Sequence, residues 1–112
     1  MELSGCVSIV TGVARGIGQA VAETYAQRGA RVAIVDILAD ALAETASAIR
    51  STGGRVLPLA GDVSDPVQVE AVFKRVEHEL GPLDILVNCA GVLRTIGQYG
   101  KLPRKLGRAR LT

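Results

Sequence analysis

Apolar residues in this chain fall into short continuous runs separated by helically spaced stripes. Four of the runs have the length of buried strands. They are CVSIVTG (6–12), RVAIVD (31–36), RVLPLAGD (55–62) and LDILVNCAG (83–91). Between the runs, apolar residues recur every three or four positions, which predicts three amphipathic helices. The positions predicted to be buried are Ile17, Val21 and Tyr25, then Leu38, Leu42, Thr45 and Ile49, then Val69, Val72, Phe73, Val76 and Leu80.

Strand and helix alternate from the first run to the last. This order predicts an α/β fold in which a parallel sheet is covered by helices on both faces. The expected fold is a partial, three-layer, doubly wound Rossmann-like sheet with strand order 3-2-1-4. Pro58 removes a backbone donor from the third run, so we expect that strand at an edge. Ser64, Asp65 and Pro66 supply a cap and a first-turn proline, which predicts the start of the third helix.

The composition narrows the class of protein. The 112 residues are 48% hydrophobic but only 3% aromatic, which predicts one domain with an aliphatic core. No apolar run approaches the roughly 18 residues that a spanning helix needs, and the N-terminus lacks a basic leader, so we expect a cytoplasmic protein without a membrane partner. Cys6 and Cys89 lie at opposite ends of neighbouring predicted strands, too far apart for a disulfide.

The charge distribution changes near residue 98. Residues 1–98 contain eight Lys/Arg and eleven Asp/Glu, whereas residues 99–112 contain five basic residues and no acid. The periodic pattern ends at the same place, so we predict a half-domain over 1–97 and a basic, disordered tail over 98–112. Truncation, or a frameshift near codon 98, is our hypothesis for the break. Nucleic-acid binding through the tail is a less favoured interpretation, because Tyr99 is its one aromatic residue.

The stretch TGVARGIG (11–18) joins the first strand to the first helix. Unpaired N–H groups and the positive end of the helix dipole at such a junction form an anion site. We predict that Gly12 lets the backbone approach a pyrophosphate, that Gly16 makes the turn, and that Gly18 lets the helix approach the strand. A tight junction without a ligand is the alternative, since any such turn favours glycine.

Asp36 closes the second run, about 20 residues beyond the glycine turn, where a carboxylate can accept hydrogen bonds from the hydroxyls of a ribose. The same charge repels a 2′-phosphate, which favours NAD over NADP. Arg15 argues the other way, because a cation in the loop could meet that phosphate. We give Asp36 more weight because its position beside the ribose is better defined. A solvated acid at a strand end remains the alternative.

Together with Asp62-Val63 and with the segment NCAG at 88–91, these residues resemble the short-chain dehydrogenase/reductase family from residue 3 to about 97. The resemblance implies that Asp62 and Val63 border an adenine and that Asn88, Ala90 and Gly91 line the cofactor cleft. Cys89 stands where family members usually have asparagine. The full set implied to bind NAD, or less favourably NADP, is Gly12, Ala14, Arg15, Gly16, Ile17, Gly18, Asp36, Ile37, Asp62, Val63, Asn88, Ala90 and Gly91.

The family reaction is hydride transfer between a nicotinamide and an alcohol or ketone, with a tyrosine as acid/base and a nearby lysine. Tyr99 does not fit the pattern Tyr-x-x-x-Lys, because position 103 is a proline. We therefore assign no catalytic residue and no metal ligand, and expect an inactive fragment that binds the cofactor. A non-catalytic NAD-binding or regulatory module is the alternative. His78, between two glutamates, is expected on the solvated face of its helix.

Assembly is the remaining expectation. The resemblance implies a parent protein that is homo-oligomeric. In the 112 residues, a fourth strand without its outer neighbour would expose an apolar edge. We therefore expect this chain to self-associate.

Overall fold

Five parallel strands form one sheet in the part of the chain that the computed structural model describes, residues 2–13, 16–89 and 110–111. The strands are β1 (Val7–Thr11), β2 (Arg31–Asp36), β3 (Arg55–Ala60), β4 (Ile85–Asn88) and β5 (Arg110–Leu111). The helices are α1 (Gly16–Gln27), α2 (Ala39–Ser51) and α3 (Pro66–Glu79). The sheet order is β3-β2-β1-β4-β5, which confirms the predicted order 3-2-1-4 and the Rossmann-like architecture.

Both faces of the sheet are apolar, because successive side chains of a strand point to opposite sides. Val10 of β1 belongs to a core that includes Ala22 of α1 and Leu42 of α2. Its neighbour Ile9 belongs to a second core that includes Phe73 of α3. Two helices therefore cover one face and the third covers the other, as the alternation of elements predicted.

The buried side of α1 differs from the prediction. Gly18, Ala22 and Ala26 are its buried residues, whereas Val21 and Tyr25 are only partly buried. Ile17 is 76% exposed, so its assignment to the core is wrong. Periodicity assigns the buried stripe to the large residues, but α1 lies close to the end of β1, and small residues occupy its most buried positions.

The other two helices follow their predicted stripes closely. In α2, Leu42, Thr45 and Ile49 are buried, while Leu38 precedes the helix and is 53% exposed. In α3, the predicted positions are buried, except that Val72 is partly so. Asp65 caps α3 by accepting a hydrogen bond from the Val67 amide at 3.0 Å, with Pro66 following it as predicted.

The sheet edges and strand starts are also defined. β3, which contains Pro58, is the edge strand predicted from that proline. At the start of β4, Asp84 Oδ2 accepts a hydrogen bond from the Val7 amide at 3.0 Å, which ties β4 to β1. Cys6 and Cys89 are free and partly buried. His78 is exposed, in agreement with its predicted place on α3.

Arg110 and Leu111 pair in parallel with Ile85 and Leu86 of β4. The composition predicted no strand there, and the fourth strand was expected to have no outer neighbour. Both expectations are wrong at these two residues, because they pair with the N–H and C=O groups of part of the β4 edge. The rest of the predicted disordered tail lies outside the described residues. Within the described ranges, no helix is long and apolar enough to cross a membrane.

Candidate cofactor site at the carboxyl edge of the sheet

The loop after β1 makes two turns that require glycine. Gly12 has φ 72° and Gly16 has φ 67°, both in the left-handed region that side chains rarely adopt. The φ of Gly18 is not positive, but a Cβ placed there would lie 2.0 Å from the carbonyl oxygen of Gly12. This contact is the close approach predicted for Gly18. The loop therefore brings the first turn of α1 directly against the end of β1.

The N-terminus of α1 differs from those of the other described helices. α2 has Asp40 in its first turn, and α3 is capped by Asp65, so acidic side chains already face their positive ends. α1 has no acid in its first turn. Its first N–H groups have no partner within the helix, and its dipole is not offset by a carboxylate from its own first turn. This end of α1 can therefore receive an anionic group.

Asp36 lies beside that loop, on the neighbouring strand. The Gly12 amide donates to the Val35 carbonyl at 2.9 Å, which brings the end of β2 alongside the start of the loop. Asp36 Oδ1 accepts a hydrogen bond from the Leu38 amide at 3.0 Å, so its carboxylate has a defined direction. A half-buried acid therefore lies beside the start of the glycine loop.

Asp62 and Val63 follow β3 on the far side of Asp36. The Gly61 amide donates to the Asp36 carbonyl at 3.1 Å, which joins this loop to the end of β2. Asp62 is exposed, and its Oδ1 accepts hydrogen bonds from the Ser64 amide at 2.9 Å and from Ser64 Oγ at 2.6 Å. Gln68 Oε1 accepts from the Asp62 amide at 2.8 Å. These contacts hold the loop beside the same edge of the sheet.

Asn88 ends β4 and is oriented by β1. Thr11 Oγ1 donates to Asn88 Oδ1 at 2.8 Å, and the Cys89 amide donates to the Thr11 carbonyl at 3.1 Å. Thr11 is buried and was not among the predicted site residues. Thr11 is part of the stretch TGVARGIG, but its role could not be predicted because its partner lies 77 residues away in the sequence.

The structure brings the described candidates to one edge, where the carboxyl ends of the strands meet. In α/β folds, ligands bind outside this edge. The polar or glycine candidates there are Gly12, Gly16, Gly18, Asp36, Asp62 and Asn88. Ile17 and Ile37 add exposed apolar surface, at 76% and 66% exposure. Ala14, Arg15, Ala90 and Gly91 lie outside the described residues.

Comparison with known proteins identifies the family to which the chain belongs. The model of the short chain dehydrogenase family matches residues 6–104. The chain belongs to the short-chain dehydrogenase family. The family match, the strand order and the position of the glycine loop after β1 therefore all indicate the same Rossmann-like fold.

Its relatives have several activities. The chain is 41% identical to 2,3-dihydro-2,3-dihydroxybenzoate dehydrogenase of Bacillus subtilis over 92 residues, 82% of this chain and 35% of that protein. It is 45% identical to D-threitol dehydrogenase of Mycolicibacterium smegmatis, over 83% of this chain and 36% of that one. The structure of L-sorbose reductase from Gluconobacter frateurii, complexed with NADPH and L-sorbose, matches with 42% identity and a TM-score of 0.77, covering 86% of this chain and 38% of that one.

The chain thus spans little more than a third of the length of these relatives. Short-chain dehydrogenases bind a nicotinamide dinucleotide, and the described residues fit one. Gly12 and Gly16 have no side chain that would keep a pyrophosphate away from the loop backbone, and the end of α1, which has no acid in its first turn, suits the negative charge of that group.

Proposed function

We propose that this chain forms the cofactor-binding part of an NAD-dependent oxidoreductase that transfers hydride between the nicotinamide and the carbon of an alcohol or ketone. The observation that carries the proposal is that Asp36 lies next to the glycine loop at the carboxyl edge of the sheet, because Val35, the residue before it, bonds to Gly12. When bound, the dinucleotide supplies the hydride acceptor or donor. The residues of this chain bind and orient it.

Each described part of the edge has its own role in the proposal. The N–H groups of α1 from Gly16 onward bind the pyrophosphate, since they face outward without intrahelical partners. Asp62 and Val63 border the adenine, and the Asn88 amide, oriented by Thr11, lines the cleft towards the nicotinamide. Ile17 and Ile37 offer exposed apolar surface for the rings.

Asp36 sets the choice between NAD and NADP. Its carboxylate accepts hydrogen bonds from the ribose hydroxyls of NAD, whereas NADP places a phosphate at that position. Two like charges at about 4 Å cost on the order of 1 to 4 kcal/mol, depending on the effective dielectric constant, which is a preference of about fivefold or more. The NADPH complex of L-sorbose reductase, and Arg15 of this chain, make NADP the competing choice.

In these 112 residues, we propose binding without turnover. The family pattern Tyr-x-x-x-Lys does not occur in the sequence, since position 29 after Tyr25 is glycine and position 103 after Tyr99 is proline. The same reasoning supports the second candidate, a module that binds NAD without catalysing. Dinucleotide binding with no dehydrogenase activity is therefore the expected behaviour of this chain.

The test is a fluorescence titration of the chain with NADH and with NADPH, in parallel for the unsubstituted chain and for Asp36→Asn. We expect NADH to bind at least about fivefold more tightly than NADPH, and D36N to remove most of this preference. Asp40→Asn is the matched control, because Asp40 is an exposed acid of the same region and lies outside the proposed site. Preference for NADPH in the unsubstituted chain, or equal effects of the two substitutions, would contradict the assignment.

A further inference from the structure

A buried hydroxyl of α2 reaches the glycine loop. Thr45 Oγ1 donates a hydrogen bond to the carbonyl oxygen of Val13 at 3.2 Å. Thr45 is 1% exposed and Val13 is 0% exposed, so water does not reach this carbonyl. A buried carbonyl without a hydrogen-bond partner is destabilising, and the threonine hydroxyl supplies the partner.

Packing alone does not require a hydroxyl at this position. Thr45 lies on the buried side of α2 with Leu42, Ala46 and Ile49, where valine would have the same shape and the same branching at Cβ. A helical threonine commonly donates back to the carbonyl four residues earlier. Thr45 instead bonds to Val13, which lies 32 positions away and directly follows Gly12 in the loop. The hydroxyl therefore stabilises the loop rather than its own helix.

Two elements, β2 and α2, hold the first two residues of the loop. Its start is held to β2, because the Gly12 amide donates to the Val35 carbonyl at 2.9 Å. The next residue, Val13, is held by Thr45, and α1 begins at Gly16 after a further two residues. The direction in which the first N–H groups of α1 point thus depends on both anchors.

α2 also connects the loop to Asp36. Asp36 Oδ1 accepts from the Leu38 amide at 3.0 Å, and the Leu38 carbonyl accepts from the Leu42 amide at 3.0 Å in the first turn of α2. Leu38 and Thr45 are separated by about 10 Å along the helix, at about 1.5 Å per residue. One rigid element therefore contacts both the acid proposed to bind the ribose and the loop proposed to bind the pyrophosphate.

We propose that Thr45 is a positioning residue of the cofactor site, which sets the pyrophosphate loop in register with Asp36. The proposal rests on the proposed function of that site. It predicts that ligands containing the pyrophosphate depend on the Thr45 hydroxyl. A ligand that reaches only the ribose and adenine contacts does not.

The experiment compares ADP-ribose with adenosine, using NMR titration of the unsubstituted chain, Thr45→Val and Thr45→Ser. We expect T45V to weaken ADP-ribose binding about tenfold and to leave adenosine affinity within about twofold, since one well-placed hydrogen bond contributes roughly a factor of ten. T45S keeps the donor and should retain most of the ADP-ribose affinity. Urea denaturation of each variant measures the stability change separately.

The outcomes separate the two proposals. If the unsubstituted chain binds neither ligand, the proposed function fails, and the role of Thr45 fails with it. If it binds both and T45V weakens them equally, or weakens neither, only the positioning role is overturned. Should T45V not fold, Thr45→Cys replaces the hydroxyl by a weaker donor of similar size. It is then expected to weaken ADP-ribose selectively, by a smaller factor, and an equal effect on adenosine would overturn the role.

Discussion

Gly18→Ala tests how closely α1 approaches the end of β1. The added Cβ would lie 2.0 Å from the Gly12 carbonyl oxygen and 2.7 Å from the Gly12 carbonyl carbon. Non-bonded heavy atoms in good contact lie roughly 3.5 to 4.0 Å apart, so the two backbone segments have to separate by about 1 Å or more. Neither segment is a flexible side chain, and Cys89 Cβ at 3.3 Å restricts movement on another side.

The net effect is the difference between two opposing terms. Alanine gains up to about 1 kcal/mol over glycine from helix propensity. Overpacking at a rigid contact costs about 1 to 3 kcal/mol and occasionally more. Because the clash is with backbone, we take the upper part of that range, and expect a loss of about 2 kcal/mol in the free energy of unfolding. With a urea dependence near 2 kcal/mol per molar, the unfolding midpoint falls by about 1 M.

The assay is urea denaturation followed by circular dichroism, with Gly61→Ala as the matched control. A Cβ at Gly61 would meet its neighbours at 3.7 to 3.8 Å, which is ordinary contact, and the φ of Gly61 is not positive. G61A should therefore change stability by less than about 0.5 kcal/mol or raise it slightly. A midpoint for G18A at or above that of the unsubstituted chain would refute the close approach of α1.

Two further predictions concern the strands. Ser8 is 0% exposed in β1, and its Oγ has no hydrogen-bond partner among the described residues; Ser8→Ala should raise the free energy of unfolding by about 1 kcal/mol, and a lower melting temperature would show that the hydroxyl is bonded after all. Asp84→Ala removes the acceptor of the Val7 amide and should cost about 1 to 3 kcal/mol. Asp84→Asn keeps an oxygen acceptor, so denaturation should find it the milder change, and equal losses would argue against this bond.

Most of the fold was predictable because its signals are local. Short apolar runs alternating with helical stripes, joined by right-handed crossovers, leave few topologies, and Pro58 assigns β3 to an edge. The orientation of α1 was not predictable in the same way. Periodicity weights large side chains such as Ile17, whereas the depth of a helix on a sheet depends on where small residues such as Ala22 allow contact.

In the candidate site as well, local features were predictable from the sequence and long-range contacts were not. Gly12, Gly16 and Asp36 are recognisable because their roles depend on the adjacent turn or strand end. The bonds of Thr11 to Asn88 and of Thr45 to Val13 join residues 77 and 32 positions apart. Predicting them requires the strand register and the rotation of α2, which a pattern of residue types along the chain does not contain.

The two strands that pair with β1 lie at very different distances from it along the sequence. On the β2 side, Val7 pairs with Arg31, 24 residues further along the chain, whereas on the β4 side Ser8 pairs with Ile85, 77 residues further along. Closing a loop costs about 0.6 kcal/mol more for each doubling of its length. The entropy cost of joining β4 to β1 is therefore about 1 kcal/mol higher than that of joining β2 to β1. During synthesis, one edge of β1 remains unpaired until β4 has left the ribosome. We therefore expect β1, α1 and β2 to assemble first, and the seam between β1 and β4 to close last.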